Sequence, residues 1–167
     1  MDNFKERLKD IKAFVFDVDG VFSQDMVLHT DGELTRHMNV KDGFAVKTAV
    51  DSGFMVGIIT GGTSESVKKR FRGLGVTDIY LGSQNKIDDY EDFYMKYGIQ
   101  PGQILYMGDD IPDYEVMKIS GLATCPADAA EEIKSIAHYI SDKDGGKGCV
   151  RDVIEQVMRA QSVWFNL

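Results

Sequence analysis

Short apolar blocks alternate along this chain with stretches whose apolar residues recur at helical spacing. Residues 13–16, 55–59, 79–81, 104–107 and 122–124 form such blocks, and Gly, Asp, Ser or Thr follows most of them. Blocks so short and so uniformly apolar predict strands buried on both faces, as in a parallel sheet. Helices are predicted between them, over residues 43–52, 64–74, 86–97, 112–120 and 128–136. A last helix is predicted from residue 150 to about 160, with Val153, Ile154 and Val157 on one face. Alternating strands and helices imply right-handed crossovers, so the expected architecture is an α/β, three-layer Rossmann-like sandwich around a central, mainly parallel sheet. One segment departs from this rhythm. Residues 26–29 and 34–38 flank Thr30-Asp31-Gly32-Glu33, whose Asp-Gly pair is a strong turn signal, and a β-hairpin should project after the first strand.

A length of 167 residues predicts one domain spanning 1–167, without a linker or internal repeat. Hydrophobic residues make up 43% and charged residues 28%, the balance of a globular protein with a real core. No apolar run approaches the roughly 18 to 20 residues that cross a bilayer, and Met1 to Lys12 is too charged for a secretion signal. A soluble, cytoplasmic protein with no membrane partner is expected. Nineteen lysines and arginines against 27 aspartates and glutamates leave a net charge of −8, which repels nucleic acid. An acidic chain can still take an anionic substrate where its carboxylates gather on a divalent cation that reverses the local sign. Cys125 and Cys149 have no close pairing or neighbouring histidine, so zinc and redox motifs find no support.

Four segments carry candidate chemistry. Phe14-Val15-Phe16-Asp17-Val18-Asp19-Gly20-Val21 delivers two carboxylates at the carboxyl end of a strand, where open α/β sheets bind ligands. By itself it also reads as a strand ending in an Asp-Gly turn, and Gly20 follows Asp17 too soon for an EF-hand loop. Met107-Gly108-Asp109-Asp110-Ile111-Pro112-Asp113 crowds three carboxylates into one turn, where they repel unless a cation or hydrogen-bond donors compensate. Magnesium, which prefers carboxylates, waters and phosphate oxygens, suits such a site, although Asp110 or Asp113 could simply cap the next helix. Ile58-Ile59-Thr60-Gly61-Gly62 offers a hydroxyl and glycines that let backbone approach an anion, without the lysine of a Walker loop. Lys86, at a helix start, could neutralise phosphate charge or could be solvated surface.

Taken in order, Asp-x-Asp-Gly, Thr-Gly, Lys and Gly-Asp-Asp-x-x-Asp resemble the motifs of haloacid dehalogenase-like phosphohydrolases over nearly the whole chain. The resemblance implies that Asp17 is the nucleophile that forms an aspartyl-phosphate and that Asp19 is the general acid and base. It further implies magnesium held by Asp17, the Asp19 backbone carbonyl and Asp109, with Thr60 and Lys86 orienting the phosphoryl oxygens. Asp110 and Asp113 would fix metal waters and Lys86 around that centre. Relatives that act as ATPases typically carry threonine at the position of Asp19, and dehalogenases lack that acid, so a phosphatase or mutase remains. Neither interval between motifs has room for a cap domain.

An open site of this kind resembles the capless 3-deoxy-D-manno-octulosonate 8-phosphate phosphatases, which form tetramers through hairpins. Further matches are Asn39-Val40-Lys41-Asp42-Gly43, Lys47, Arg70 and the run Gly145-Gly146-Lys147-Gly148-Cys149-Val150-Arg151. The resemblance implies a homotetramer and an acidic sugar phosphate substrate. Lys41, Lys47 and Arg70 would meet the substrate carboxylate, and the turn from Asn39 through Val40 and Asp42 to Gly43 would offer donors to hydroxyls. Gly61, Gly62, Asp19 and Lys86 would line the same site. Each of these positions also has a plainer reading: solvated lysines and arginine, Asp42 as a helix cap, the glycine run as a flexible connection. Gly62 departs from the pattern, since many relatives carry arginine there. Alternatives are a phosphatase for a nine-carbon keto-deoxy sugar acid 9-phosphate, a non-enzymatic phosphoryl-accepting module, and an oligomerisation partner of a sugar-activating enzyme. The retained Asp19 and the complete motif set speak against the last two.

Overall fold

The computed structural model describes residues 3–167. In chain order the strands are β1 (Ala13–Phe16), β2 (Met26–Leu28), β3 (Leu34–Arg36), β4 (Met55–Ile59), β5 (Asp78–Tyr80), β6 (Ile104–Met107), β7 (Leu122–Cys125) and β8 (Tyr139–Ile140). The helices are α1 (Phe4–Arg7), α2 (Val40–Asp51), α3 (Glu65–Gly73), α4 (Lys86–Tyr97), α5 (Tyr114–Ile119), α6 (Glu131–Ile136) and α7 (Cys149–Ala160). Six strands form one sheet in the order β5-β4-β1-β6-β7-β8, every neighbouring pair parallel. The strands are therefore not merely mainly parallel: the antiparallel pairing is confined to the separate β2–β3 ladder, with Met26 opposite Arg36 and Leu28 opposite Leu34.

The alternation of side chains explains the three layers. Phe14 and Phe16 of β1, Ile58 of β4 and Leu105 of β6 point to one face, where α2, α3 and α7 cover them with Val46, Phe71 and Ile154. Ala13, Val15, Ile59 and Tyr106 point to the other, beneath Tyr90 and Phe93 of α4, Met117 of α5 and Ile133 of α6. Burial on both faces is why these strands lack an apolar–polar pattern of their own.

Several boundaries differ from the predicted ones. Helix α2 starts at Val40, three residues before the predicted start, because the Asn39 side chain accepts a hydrogen bond from the Lys41 N–H and caps it. The helix predicted from residue 112 is split: a 3₁₀ turn over Ile111–Asp113 precedes α5. Likewise α6 begins at Glu131 rather than 128. The short α1 and the two-residue β8 escaped prediction because neither is long enough to show a period.

The hairpin leaves Met26, Val27, Leu28 and Leu34 exposed, Leu28 by 73%. Between Asp19 and Thr60 the chain holds this hairpin, α2 and β4; between Thr60 and Asp109 it holds α3, β5, α4, a 3₁₀ turn and β6, so neither interval contains a cap. Among the described residues no helix is long and apolar enough to cross a membrane.

Candidate active site

Strand order reverses at β1: β4 and β5 lie to one side, β6, β7 and β8 to the other. A crevice opens at such a switch point beyond the carboxyl ends of the strands. Asp17 follows β1, Thr60 follows β4 and Asp109 lies just beyond β6, so strands far apart in sequence deliver these side chains to one place. Asp17, Asp109 and Asp113 each present a carboxylate oxygen within 4.8 Å of the others.

Lys86, buried at the start of α4, bridges two of these acids. Its Nζ lies 3.0 Å from Asp17 Oδ1 and 2.8 Å from Asp113 Oδ1. Asp113 is 1% exposed and accepts from every side. The Tyr106 hydroxyl donates to its Oδ1 at 2.6 Å, while the N–H groups of Asp109 and Asp110 donate to its Oδ2 at 3.0 and 3.4 Å. Asp113 thus sets both the Lys86 ammonium and the loop that carries Asp109. Burial and the nearby Asp113 charge push Asp17 up to about 7. Burial, with Asp17 and Asp113 beside it, pushes Asp109 up to about 8. Burial opposes the Lys86 charge, but Asp113 and Asp17 outweigh it and hold the ammonium above its ordinary range.

Carboxylates that resist ionising together fit a hard divalent cation, which removes their repulsion and needs oxygen ligands. Asp17 and Asp109 are the residues suited to hold it, since Asp113 is already spent on Lys86, Tyr106 and two backbone donors. The backbone makes room for this approach. Gly20 has φ +88°, and a Cβ there would fall 1.8 Å from Asp109 Oδ2. The glycine run near the end of the chain is likewise structural rather than a flexible connection. A Cβ at Gly145 would fall 1.9 Å from the Gly20 carbonyl oxygen, and Gly146 N–H donates to the Val21 carbonyl at 2.8 Å, so this run buttresses the Asp19–Gly20 turn.

The remaining predicted residues divide. Thr60 is 3% exposed, and its Oγ1 accepts from the Gly62 N–H at 3.2 Å, which leaves its hydroxyl proton free to donate. Gly61 and Gly62 border an open groove of about 490 Å³ between the hairpin and the loop after β4. A second groove, about 460 Å³, is lined by Arg36, Met38 and Arg70 among others. A Cβ on Gly43 would meet Arg70 Nη2 at 2.3 Å, so the small residue lets the guanidinium lie across α2. Val40 and Lys41 are exposed at the first turn of α2.

Three predicted residues have other partners in the structure. Asp42 is fully buried and its Oδ1 accepts from the Arg151 N–H at 2.8 Å, so it ties α2 to α7 and neither meets substrate nor caps α2. Lys47 is exposed and spends its charge on Asp51 one turn on, 3.0 Å away. Asp110 is exposed and accepts from the Ile111 N–H at 2.8 Å, the capping role, while of these two it is Asp113 that reaches Lys86. Two further residues were missed. Tyr106 reads as one more apolar strand position, and only its phase with Ile104 places its hydroxyl on the α4–α5 side. Arg36 ends β3 and pairs with Asp19 through Nε at 2.6 Å and Nη2 at 3.1 Å; a charged residue in an exposed hairpin carries no sequence signal for that reach.

A family model described as haloacid dehalogenase-like hydrolase matches residues 70–153. The chain is 35% identical over 156 residues to the 3-deoxy-D-manno-octulosonate 8-phosphate phosphatase of Escherichia coli (strain K12), covering 93% of this chain and 83% of that one. The crystal structure of the phosphatase of that name from Yersinia pestis superposes with a TM-score of 0.94 at 34% identity, over 97% of this chain and 88% of the other. The Moraxella catarrhalis phosphatase, solved with magnesium, phosphate and KDO, gives a TM-score of 0.92 at 32% identity, over 95% and 92% of the two chains. With the same fold from end to end and identity above 30% across it, this chain belongs to the 3-deoxy-D-manno-octulosonate 8-phosphate phosphatase family of the haloacid dehalogenase-like hydrolases.

Proposed function

We propose that this protein hydrolyses 3-deoxy-D-manno-octulosonate 8-phosphate to the free sugar acid and phosphate, through an aspartyl-phosphate on Asp17. The observation that carries the reading is the buried Asp17–Lys86–Asp113 chain beside Asp109 at the switch point of the sheet. Magnesium bound by Asp17, Asp109 and the Asp19 carbonyl supplies the positive charge that lets an anionic nucleophile approach a phosphate ester.

The chain's own residues account for the rest. Lys86, fixed by Asp113, presents a permanent charge to the phosphoryl oxygens, and the Thr60 hydroxyl donates to them. The Asp17 carboxylate forms a bond to phosphorus as the ester P–O bond breaks, and Asp19 passes a proton to the departing sugar oxygen. Asp19 then takes a proton from water, whose oxygen displaces Asp17 from phosphorus and releases inorganic phosphate. Arg70, which lines the second groove together with Arg36, and Lys41, exposed at the first turn of α2, carry charge suited to the carboxylate of the sugar acid. The exposed apolar hairpin supports assembly into a homotetramer that completes this open site. The product would enter lipopolysaccharide sugar synthesis in the cytoplasm.

The deciding experiment compares acidic sugar phosphates of eight and nine carbons, with phosphate release measured in magnesium and after chelation. The eight-carbon ester should be preferred, chelation should abolish turnover, and Asp17→Asn should be inactive yet folded. A preference for the nine-carbon ester would transfer the assignment to that substrate. Turnover by Asp17→Asn would refute the covalent route.

A further inference from the structure

The Arg36 side chain is 6% exposed, although the hairpin strand that carries it is largely open to solvent. Its guanidinium grips Asp19 with two parallel bonds, and the Ser23 hydroxyl adds a third to Oδ1 at 3.3 Å. Both oxygens of the proton-transfer carboxylate are therefore engaged from the hairpin side. The grip is incomplete in one respect: Arg36 Nη1 is buried with no hydrogen-bond partner. Buried donors left unpaired cost free energy. The place where an acceptor could arrive is adjacent. A Cβ on Gly62 would lie 3.3 Å from Arg36 Nη2 and 3.6 Å from Asp19 Oδ2, so the bare glycine leaves the pair open to the groove that Arg36, Gly61 and Gly62 line.

We propose that Arg36 is a substrate-responsive clamp: it holds the Asp19 carboxylate in the free enzyme, and the carboxylate of an acidic sugar phosphate in the adjoining groove draws the guanidinium onto itself, releasing Asp19 for proton transfer. The inference rests on the phosphatase reading and deepens it, by tying the choice of substrate to the freeing of a reactive group. Exchanging one bidentate carboxylate for another is nearly even in energy. A phosphate ester without a carboxylate cannot make the exchange, so Asp19 stays clamped and turnover stays slow. Arg36 is in this sense a positioning residue for Asp19 as well as a contact for the substrate. Lysine could not replace it fully, since an ammonium lacks the planar fork.

The test uses the full chain in saturating magnesium, with Arg36→Met and Arg36→Lys assayed on p-nitrophenyl phosphate and on 3-deoxy-D-manno-octulosonate 8-phosphate. For Arg36→Met, kcat on p-nitrophenyl phosphate should rise about fivefold, the worth of a partly solvated ion pair. On the sugar acid ester, kcat/KM should fall about 30- to 100-fold, as for a lost charged hydrogen-bond partner. Arg36→Lys should show the same opposed signs to a smaller degree, with the loss on the sugar acid ester mainly in KM; it retains the charge and stem and serves if the methionine variant does not fold. Parallel losses on both substrates would mean that Arg36 merely supports the loop, and would overturn the clamp. Unchanged turnover of p-nitrophenyl phosphate would overturn it too. If the native enzyme ignores the sugar acid ester, the substrate reading fails separately, and the p-nitrophenyl phosphate arm still decides whether Arg36 restrains Asp19.

Discussion

Replacing Asp113 by asparagine keeps the shape of the side chain and removes only its charge and one acceptor. The carboxylate serves four donors: Lys86 Nζ at 2.8 Å, the Tyr106 hydroxyl at 2.6 Å, and the Asp109 and Asp110 N–H groups at 3.0 and 3.4 Å. An amide cannot satisfy both sides. With its oxygen toward Lys86, its NH₂ faces two backbone N–H groups; turned over, it faces an ammonium. Breaking a buried ion pair costs about 3 to 5 kcal/mol, and the facing donors add about 1 kcal/mol. Two effects work the other way. Lys86 keeps Asp17 at 3.0 Å, and the lost charge relieves repulsion that raises Asp17 and Asp109. We therefore expect a net loss of about 3 kcal/mol, which for a chain of this size lowers the melting temperature by about 6 to 12 °C. Because Asp113 also holds the Asp109 backbone, magnesium affinity should fall about 10- to 100-fold. Urea unfolding and calorimetric magnesium titration measure the two quantities. A stability change below about 0.5 kcal/mol together with unaltered magnesium binding would show that Asp113 does not organise the centre.

Two other consequences are open to direct measurement. Burial pushes Asp42 from 3.8 up to about 6, against the Arg151 N–H that draws it down. Below about pH 4 it is protonated in both folded and unfolded chains; as pH rises to about 6 the unfolded chain releases its proton first, so stability falls by about 3 kcal/mol across that window and stays lower above it. Asp42→Asn should remove this decline, so that its stability relative to the native protein grows between pH 4 and 7 in urea titrations; parallel pH curves would contradict the assignment. On the hairpin, Leu28, exposed by 73%, and its neighbour Val27 should lie in a subunit interface, so a Val27→Lys, Leu28→Lys variant should shift light-scattering mass from tetramer to smaller species, and a native protein that is monomeric would end that reading.

Local sequence determined much of this protein. Five of the sheet strands, the hairpin turn at Asp31-Gly32 and the order of the acidic motifs are legible in residue type and spacing, because burial on both faces and turn chemistry act over a few residues. Asp17 and Asp109 could be singled out for the same reason: each belongs to a run of acids at a strand end. What Asp42, Tyr106, Arg36 and the late glycines do could not be read that way. Asp42 lies in an ordinary first turn, and its role depends on Arg151, 109 residues later, reaching its carboxylate. Gly145 looks like a linker until it meets the Gly20 carbonyl. Arg36 belongs to an exposed hairpin until the chain folds that strand back over Asp19. These pairings are long-range and polar or steric, and they leave no period in the sequence. The parallel sheet, by bringing remote strand ends to one switch point, decides which charges meet there and which are used up elsewhere.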